Sequence, residues 1–317
     1  MPGQIIVGTT QRWLGRWLSQ WRSRWRRYCA AILTLMVLST LSVAALAADR
    51  GALFKVTGKG HTVYLFGTMH VGQADFYPFE PRLAAALAAA PVLALEIDPA
   101  MPPAVAARAR QKYGMRAAGS VPPPALAPRL ARAWQQAGID PAAVAGYKPW
   151  LIATVLAISE YTRLGYDSAL AVDTKLAALA REDKVRVIEL ESIDAQLALF
   201  DSLPLAAQWD FLDETVTDLA TGKHEGEARA IAQAWASADR AALDAIAARL
   251  EADPGVSARF MREVLLDGRN GALADGIIDL MGRDDNSVAA IGILHLVGKR
   301  SVPELMREKG MKVERIY

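Results

Sequence analysis

The 317-residue chain has four histidines, and two of them, His70 and His295, stand in the same local setting. Each follows a glycine by three residues, in Gly67-Thr68-Met69-His70 and Gly292-Ile293-Leu294-His295, and each glycine closes an apolar run, Val63–Phe66 and Val288–Ile291. A neutral imidazole serves as a metal ligand or as an acid–base group near pH 7. A glycine just ahead of it lets the backbone bend tightly as the imidazole arrives. Carboxylates recur in similar places. Glu96 sits near the end of the run Pro91–Asp98, and Glu189 and Glu191 end Val185–Glu191. A buried carboxylate is costly unless it is paired or bound to a cation, so Glu96, between Leu95 and Ile97, calls for a partner, and the site at His70 is the natural one. Glu189 and Glu191 are two residues apart and share a strand face, so spacing leaves open which of them faces the histidines.

Asp173 falls in the first turn of a helix that begins near Leu170, where the helix dipole favours an acid whatever its function. Arg269, with Asn270 beside it, stands at another helix start. An arginine there suits a two-pronged grip on a carboxylate or a substrate oxyanion. Two histidines and one or two carboxylates, without cysteine, suit a divalent ion such as Mn²⁺, Co²⁺ or Zn²⁺. On this reading His70, Glu96 and His295 hold the ion, which lowers the pKa of a bound water. Glu191 or Asp173 orients or deprotonates that water, Arg269 steadies the oxyanion, and Asn270 contacts substrate. The competing reading makes both histidines core residues bonded to backbone carbonyls; the repeated setting weighs against it. His61 reads as a strand-surface residue and His224, between Lys223 and Glu225, as a solvated one. The sequence contains no His-Glu-x-x-His helix, Gly-x-Ser-x-Gly elbow or Walker A loop.

These residues need elements to position them. Leu53–Thr57 and Thr62–Gly67 flank Gly58-Lys59-Gly60, a hairpin signal. Further strands are expected at Pro91–Asp98, Val185–Glu191, Ser287–Leu294 and Lys312–Ile316. Apolar residues at three-to-four spacing predict helices over Trp150–Arg163, Leu170–Arg181, Leu205–Thr221, Glu225–Ala236 and Arg240–Ala252. Two more are expected at Ala258–Leu266 and Asn270–Met281. The pattern predicts an α/β fold: a mixed sheet built from both ends of the chain, with a large helical insertion around 99–265. The two histidine strands are then neighbours, and both imidazoles enter one crevice at the strand ends, where α/β sheets place ligands.

Residues 1–47 read differently. Six arginines precede an uncharged run from Ala30 to Ala48 that ends in Ala45-Leu46-Ala47. Basic region, apolar core and small-residue site in that order predict a secretory signal peptide, with an uncleaved anchor as the alternative. A mature chain of 48–317, forming one domain in the periplasm or outside the cell, is expected. Membrane contact is confined to the N-terminal segment. Trp13, Trp17, Trp21 and Trp25 recur every four residues there, and Cys29, the single cysteine, precedes the apolar core. The six arginines are the only charges in residues 1–47, so the net +2 of the whole chain becomes about −4 for the remainder. That balance excludes a nucleic-acid binder, which must neutralise phosphates.

The ordered motifs resemble the TraB/GumN family, with the animal Tiki proteins as distant relatives. The residues that carry the resemblance are Tyr64–Gly72 (YLFGTMHVG), Leu95–Asp98 (LEID), Ala171–Thr174 (AVDT, with Ala171 where the family has Gly), Leu190–Ser192 with Gln196 and Phe200–Pro204, Arg269-Asn270, and Ile291–Gly298 (IGILHLVG). The resemblance implies an α/β core with a helical insertion and a site made from both histidines, the acids and the arginine. Through the Tiki branch it implies metal-dependent proteolysis supported by Mn²⁺ or Co²⁺, with a peptide as substrate. Two other expectations stand beside it: a periplasmic protein that binds a peptide or metal without turnover, and an accessory of envelope polysaccharide export.

Overall fold

Lys59 and Gly60 turn the chain between β1 (Leu53–Gly58) and β2 (His61–Thr68), both at positive φ, 52° and 86°. Tight two-residue hairpins prefer that backbone. The computed structural model describes residues 48–116 and 121–317. The signal-like run, the tryptophan stripe and Cys29 lie outside the described residues. After β2 come α1 (Pro81–Ala89), β3 (Val92–Leu95), α2 (Pro103–Tyr113), α3 (Ala127–Ala137), α4 (Pro141–Val144), α5 (Pro149–Arg163) and α6 (Val172–Glu182). Next are β4 (Arg186–Glu189), α7 (Ile193–Asp201), α8 (Leu205–Thr221), α9 (Lys223–Ala236), α10 (Arg240–Ala252) and α11 (Val256–Phe260). The chain closes with α12 (Asp267–Arg283), β5 (Ser287–Gly292), α13 (Val302–Glu308) and β6 (Lys312–Arg315). Proline opens α1, α2, α4, α5 and α13 within the first two positions, where its missing N–H costs nothing.

The six strands form one mixed sheet in the order β4-β3-β5-β2-β1-β6. β2, β5, β3 and β4 run parallel, and β1 is antiparallel to both β2 and β6. The sheet is thus assembled from both ends of the chain, as the pattern predicts. β2 and β5 are direct neighbours, with Gly67 opposite Ile291 and Thr68 opposite Gly292. β3 is buried along its whole length, as expected for a parallel strand covered on both faces. A second hydrophobic cluster, with Leu130, Trp134, Leu156, Leu212 and Val216, holds α3, α5 and α8 together away from the sheet.

Two expectations are corrected. The strand expected over Ser287–Leu294 stops at Gly292, and Ile293–Leu296 form a 3₁₀ turn. The two helices expected on either side of Asp267 are one continuous helical stretch, in which α11 passes through a π-helical segment, Met261–Leu266, into α12. Among the described residues, no helix is long and apolar enough to cross a membrane.

Candidate active site at the carboxyl edge of the sheet

The parallel strands end at one edge, and the chain just past each end supplies a functional side chain: His70 after β2, Glu96 after β3, Glu191 after β4 and His295 after β5. The segment after β2 is anchored on both sides of His70. Met69 O accepts from Val172 N at 2.9 Å, and Gly72 exchanges two hydrogen bonds with Asp167. Docking the start of α6 in this way brings Asp173, in its first turn, to His70: Nδ1 lies 2.6 Å from Asp173 Oδ2. The His70 side chain is 70% exposed while Asp173 is 16% exposed, so the dyad is open at its imidazole end. Desolvation opposes the imidazolium, but the hydrogen bond and charge of Asp173, with Glu96 behind them, outweigh it and lift His70 to about 9.

Beneath the dyad lies a buried charge cluster. Arg269, on α12, donates from Nε to Glu191 Oε1 at 3.0 Å, from Nη2 to Glu191 Oε2 at 2.5 Å, and from Nη2 to Glu96 Oε2. Its Nη1 binds Leu265 O at 3.1 Å. Glu96 Oε1 accepts the Gly292 N–H at 2.6 Å, and His295 Nε2 lies 3.8 Å away from it. Burial alone would raise Glu96. His295 once protonated, with the charges of His70 and Arg269 and the Gly292 N–H, reverses that and brings it to about 2. Asn270 Nδ2 donates to Arg300 O at 2.8 Å, so its Oδ1 is the atom 2.5 Å from His295 Nδ1. That assigns the ring proton to Nδ1 and leaves Nε2 facing Glu96 as an acceptor. Burial pushes His295 down to about 4 against the pull of Glu96, so the ring is neutral at pH 7.

The structure brings His70, Glu96, Asp173, Glu191, Arg269, Asn270 and His295 to one edge, but employs some of them differently from expectation. Asn270 is 2% exposed and both ends of its amide are engaged, so it positions His295. The Arg269 guanidinium grips two carboxylates. Glu189 turns away to accept Asp98 N at 2.9 Å, and Glu191, past the end of the regular strand, takes the site. Gly67 and Gly292 are close-approach glycines, with no positive φ at either. A Cβ on Gly67 would lie 2.4 Å from Ile293 Cδ1, and one on Gly292 would lie 3.3 Å from Glu96 Oε1. His224, expected to be solvated, has a buried Nδ1 with no hydrogen-bond partner among the described residues.

Sequence reasoning assigned no role to Gln196. From α7, its Nε2 donates to Glu96 Oε2 at 3.1 Å and to Glu191 Oε2 at 3.0 Å, bridging the carboxylates that Arg269 bridges. Its position one turn past Ser192, the N-cap of α7 that directly follows Glu191, was the available signal.

The donor set expected for a divalent ion does not form. Among the described residues no three His, Cys, Asp or Glu side chains are grouped to hold a metal. Glu96 and Glu191 instead share the charge of Arg269.

A sheet edge carrying two Gly-x-x-His turns over an arginine-bridged carboxylate pair defines the class of protein. Residues 52–315 match the TraB/PrgY/gumN family, and the chain belongs to it. It is similar to the uncharacterized protein YbaP of Shigella flexneri, 28% identical over 257 residues, covering 79% of this chain and 89% of that one. YbaP of Escherichia coli K12 is also 28% identical, over 251 residues that cover 77% and 87% of the two chains. No solved structure matches.

Proposed function

We propose that the protein is an exported hydrolase that cleaves peptides at this edge, with His70 as its proton-carrying group. The observation that carries the reading is the open His70–Asp173 dyad above a buried, arginine-bridged carboxylate pair. Asp173 fixes the imidazole through Nδ1 and favours its protonated form, leaving Nε2–H free to donate. Such a group stabilises a developing oxyanion or protonates a departing amine. Arg269 is committed to Glu96 and Glu191, so it acts by fixing the two carboxylates in place. Glu191, at 15% side-chain exposure against 7% for Glu96, is the carboxylate placed to orient a water. Export to the periplasm rests on the signal-like N-terminus, and the peptide substrate on the likeness to the Tiki branch.

The same imidazole, 70% exposed beyond its Asp173 contact, would also hold a hydrogen-bonding ligand without turnover. Turnover separates the two readings. Screening a fluorogenic peptide library should give cleavage that is lost at least a hundredfold in His70→Ala, with folding retained by circular dichroism. With His70 as a general acid, cleavage should also fall as pH rises through about 9. Chelation should leave it unchanged. Binding without cleavage would leave the capture reading. Stoichiometric Mn²⁺, Co²⁺ or Zn²⁺ lost with His70→Ala would restore the metal site.

A further inference from the structure

Beside the His295–Asn270 pair lies a pocket that the acid–base site does not use. Ala247 and Leu250 of α10, Leu266 at the end of the π-helical segment, and Leu294 and Val297 around the second histidine turn give it an apolar lining, and its volume is about 90 Å³. An enclosed apolar cavity of ~150 Å³ accepts benzene, so the apolar floor of this open pocket matches a smaller group, of about four carbons.

Every cation around the pocket already has a partner. Arg262 Nη1 donates to Leu250 O and Glu251 O, and its Nη2 to Glu263. Lys299 Nζ reaches Glu251 at 3.0 Å, and Arg300 Nε reaches Asp267 at 3.5 Å. These last two pairs tie the segment Val297–Arg300 to α10 and α12 along the pocket edge. Both are exposed, with Lys299 at 83% and Arg300 at 66%, and exposed pairs of this kind hold a segment only weakly. Gly298, at φ +86°, makes the turn within that segment, a backbone that side-chain-bearing residues rarely adopt. The pocket therefore offers methyl groups and no free charge.

We infer that this pocket binds a short aliphatic group of about four carbons, of the size and chemistry of a leucine or valine side chain. That the group belongs to a peptide rests on the hydrolase reading; the pocket's preference for an aliphatic group does not. Asn270 lines the pocket, donates to Arg300 O and holds His295 Nδ1, so an occupant meets the same residues that position the second histidine.

The test is methyl NMR on the full-length chain, with N-acetyl-leucinamide and N-acetylglycinamide as probes. The leucine probe should shift the methyls of Leu250, Leu266, Leu294 and Val297 saturably, with the glycine probe at least tenfold weaker. Filling the pocket with Ala247→Phe, or with Leu250→Phe should the first variant not fold, should weaken the leucine probe at least tenfold. Equal binding of both probes, or undiminished binding in the folded filled variant, overturns the inference. The readout needs no turnover. Shifts without cleavage would sink the hydrolase reading and leave the pocket, and cleavage without shifts would do the reverse.

Discussion

Gln196 Nε2 donates to the same oxygen of Glu191, Oε2, that Arg269 Nη2 reaches from the other side. The second N–H of the amide goes to Glu96 Oε2, which also takes Arg269 Nη2. Two acceptor oxygens thus sit between two donor nitrogens, which hold the carboxylates together. Arg269 supplies charge; Gln196 supplies the second pair of N–H groups.

Replacing Gln196 with Leu removes two hydrogen bonds to carboxyl groups in a mostly buried setting. A loss of about 2 kcal/mol is expected, read as a lower urea midpoint with an unchanged m-value. On the proposed hydrolase reading, turnover should drop with it, since Glu191 loses a constraint. A variant as stable as the wild type would show that Arg269 alone holds the pair.

Stability should decline in acid in two stages. His295 is neutral in the fold down to about pH 4, whereas an unfolded histidine takes a proton near 6.5. Stability from this group is complete above 6.5 and is lost as pH falls toward 4. Glu96, held to about 2, adds a loss between about 4.5 and 2. His70 acts in the opposite direction: raised to about 9, it stabilises below 6.5, and that stability is lost as pH climbs through 9. Urea titrations at pH 4 to 7 should show the fall, and His295→Gln should flatten it by up to about 3 kcal/mol. An equally steep variant would remove His295 as the cause.

Gly67→Ala tests the packing of one motif against the other. Its Cβ would lie 2.4 Å from Ile293 Cδ1 and 3.1 Å from Leu296 Cδ1. Overpacking of this kind costs about 1–3 kcal/mol. Ile293→Val removes the nearest methyl, so the double variant should recover more than half of the loss. Strict additivity in the double-mutant cycle would place the strain elsewhere.

Much of this arrangement was legible in the residues. The hairpin at Lys59-Gly60 followed from its glycines, and α5, α8 and α10 from their periodicity. The neighbourhood of β2 and β5 followed from one motif written twice. Glu96 announced a partner because a carboxylate within an apolar strand must have one. What stayed hidden depends on geometry that spacing does not carry. Period two fails where a strand ends, so Glu191 and Glu189 part company. Whether a buried guanidinium serves a substrate or two neighbouring carboxylates depends on distances across the fold. The motif glycines looked like bends, and their lack of a side chain instead makes room for a turn from the far end of the sequence.

The pairing of β2 with β5 also has a bearing on when the protein can work. A nascent chain leaving the ribosome carries His70, Glu96, Asp173 and Glu191 long before Arg269 and His295 are made. Until the last strands arrive, β2 has β1 beside it and nothing on its other side, and Glu96 lacks both its guanidinium and the Gly292 amide. Completion of the chain and assembly of the site are therefore one event. A fragment ending before α12 would be blank.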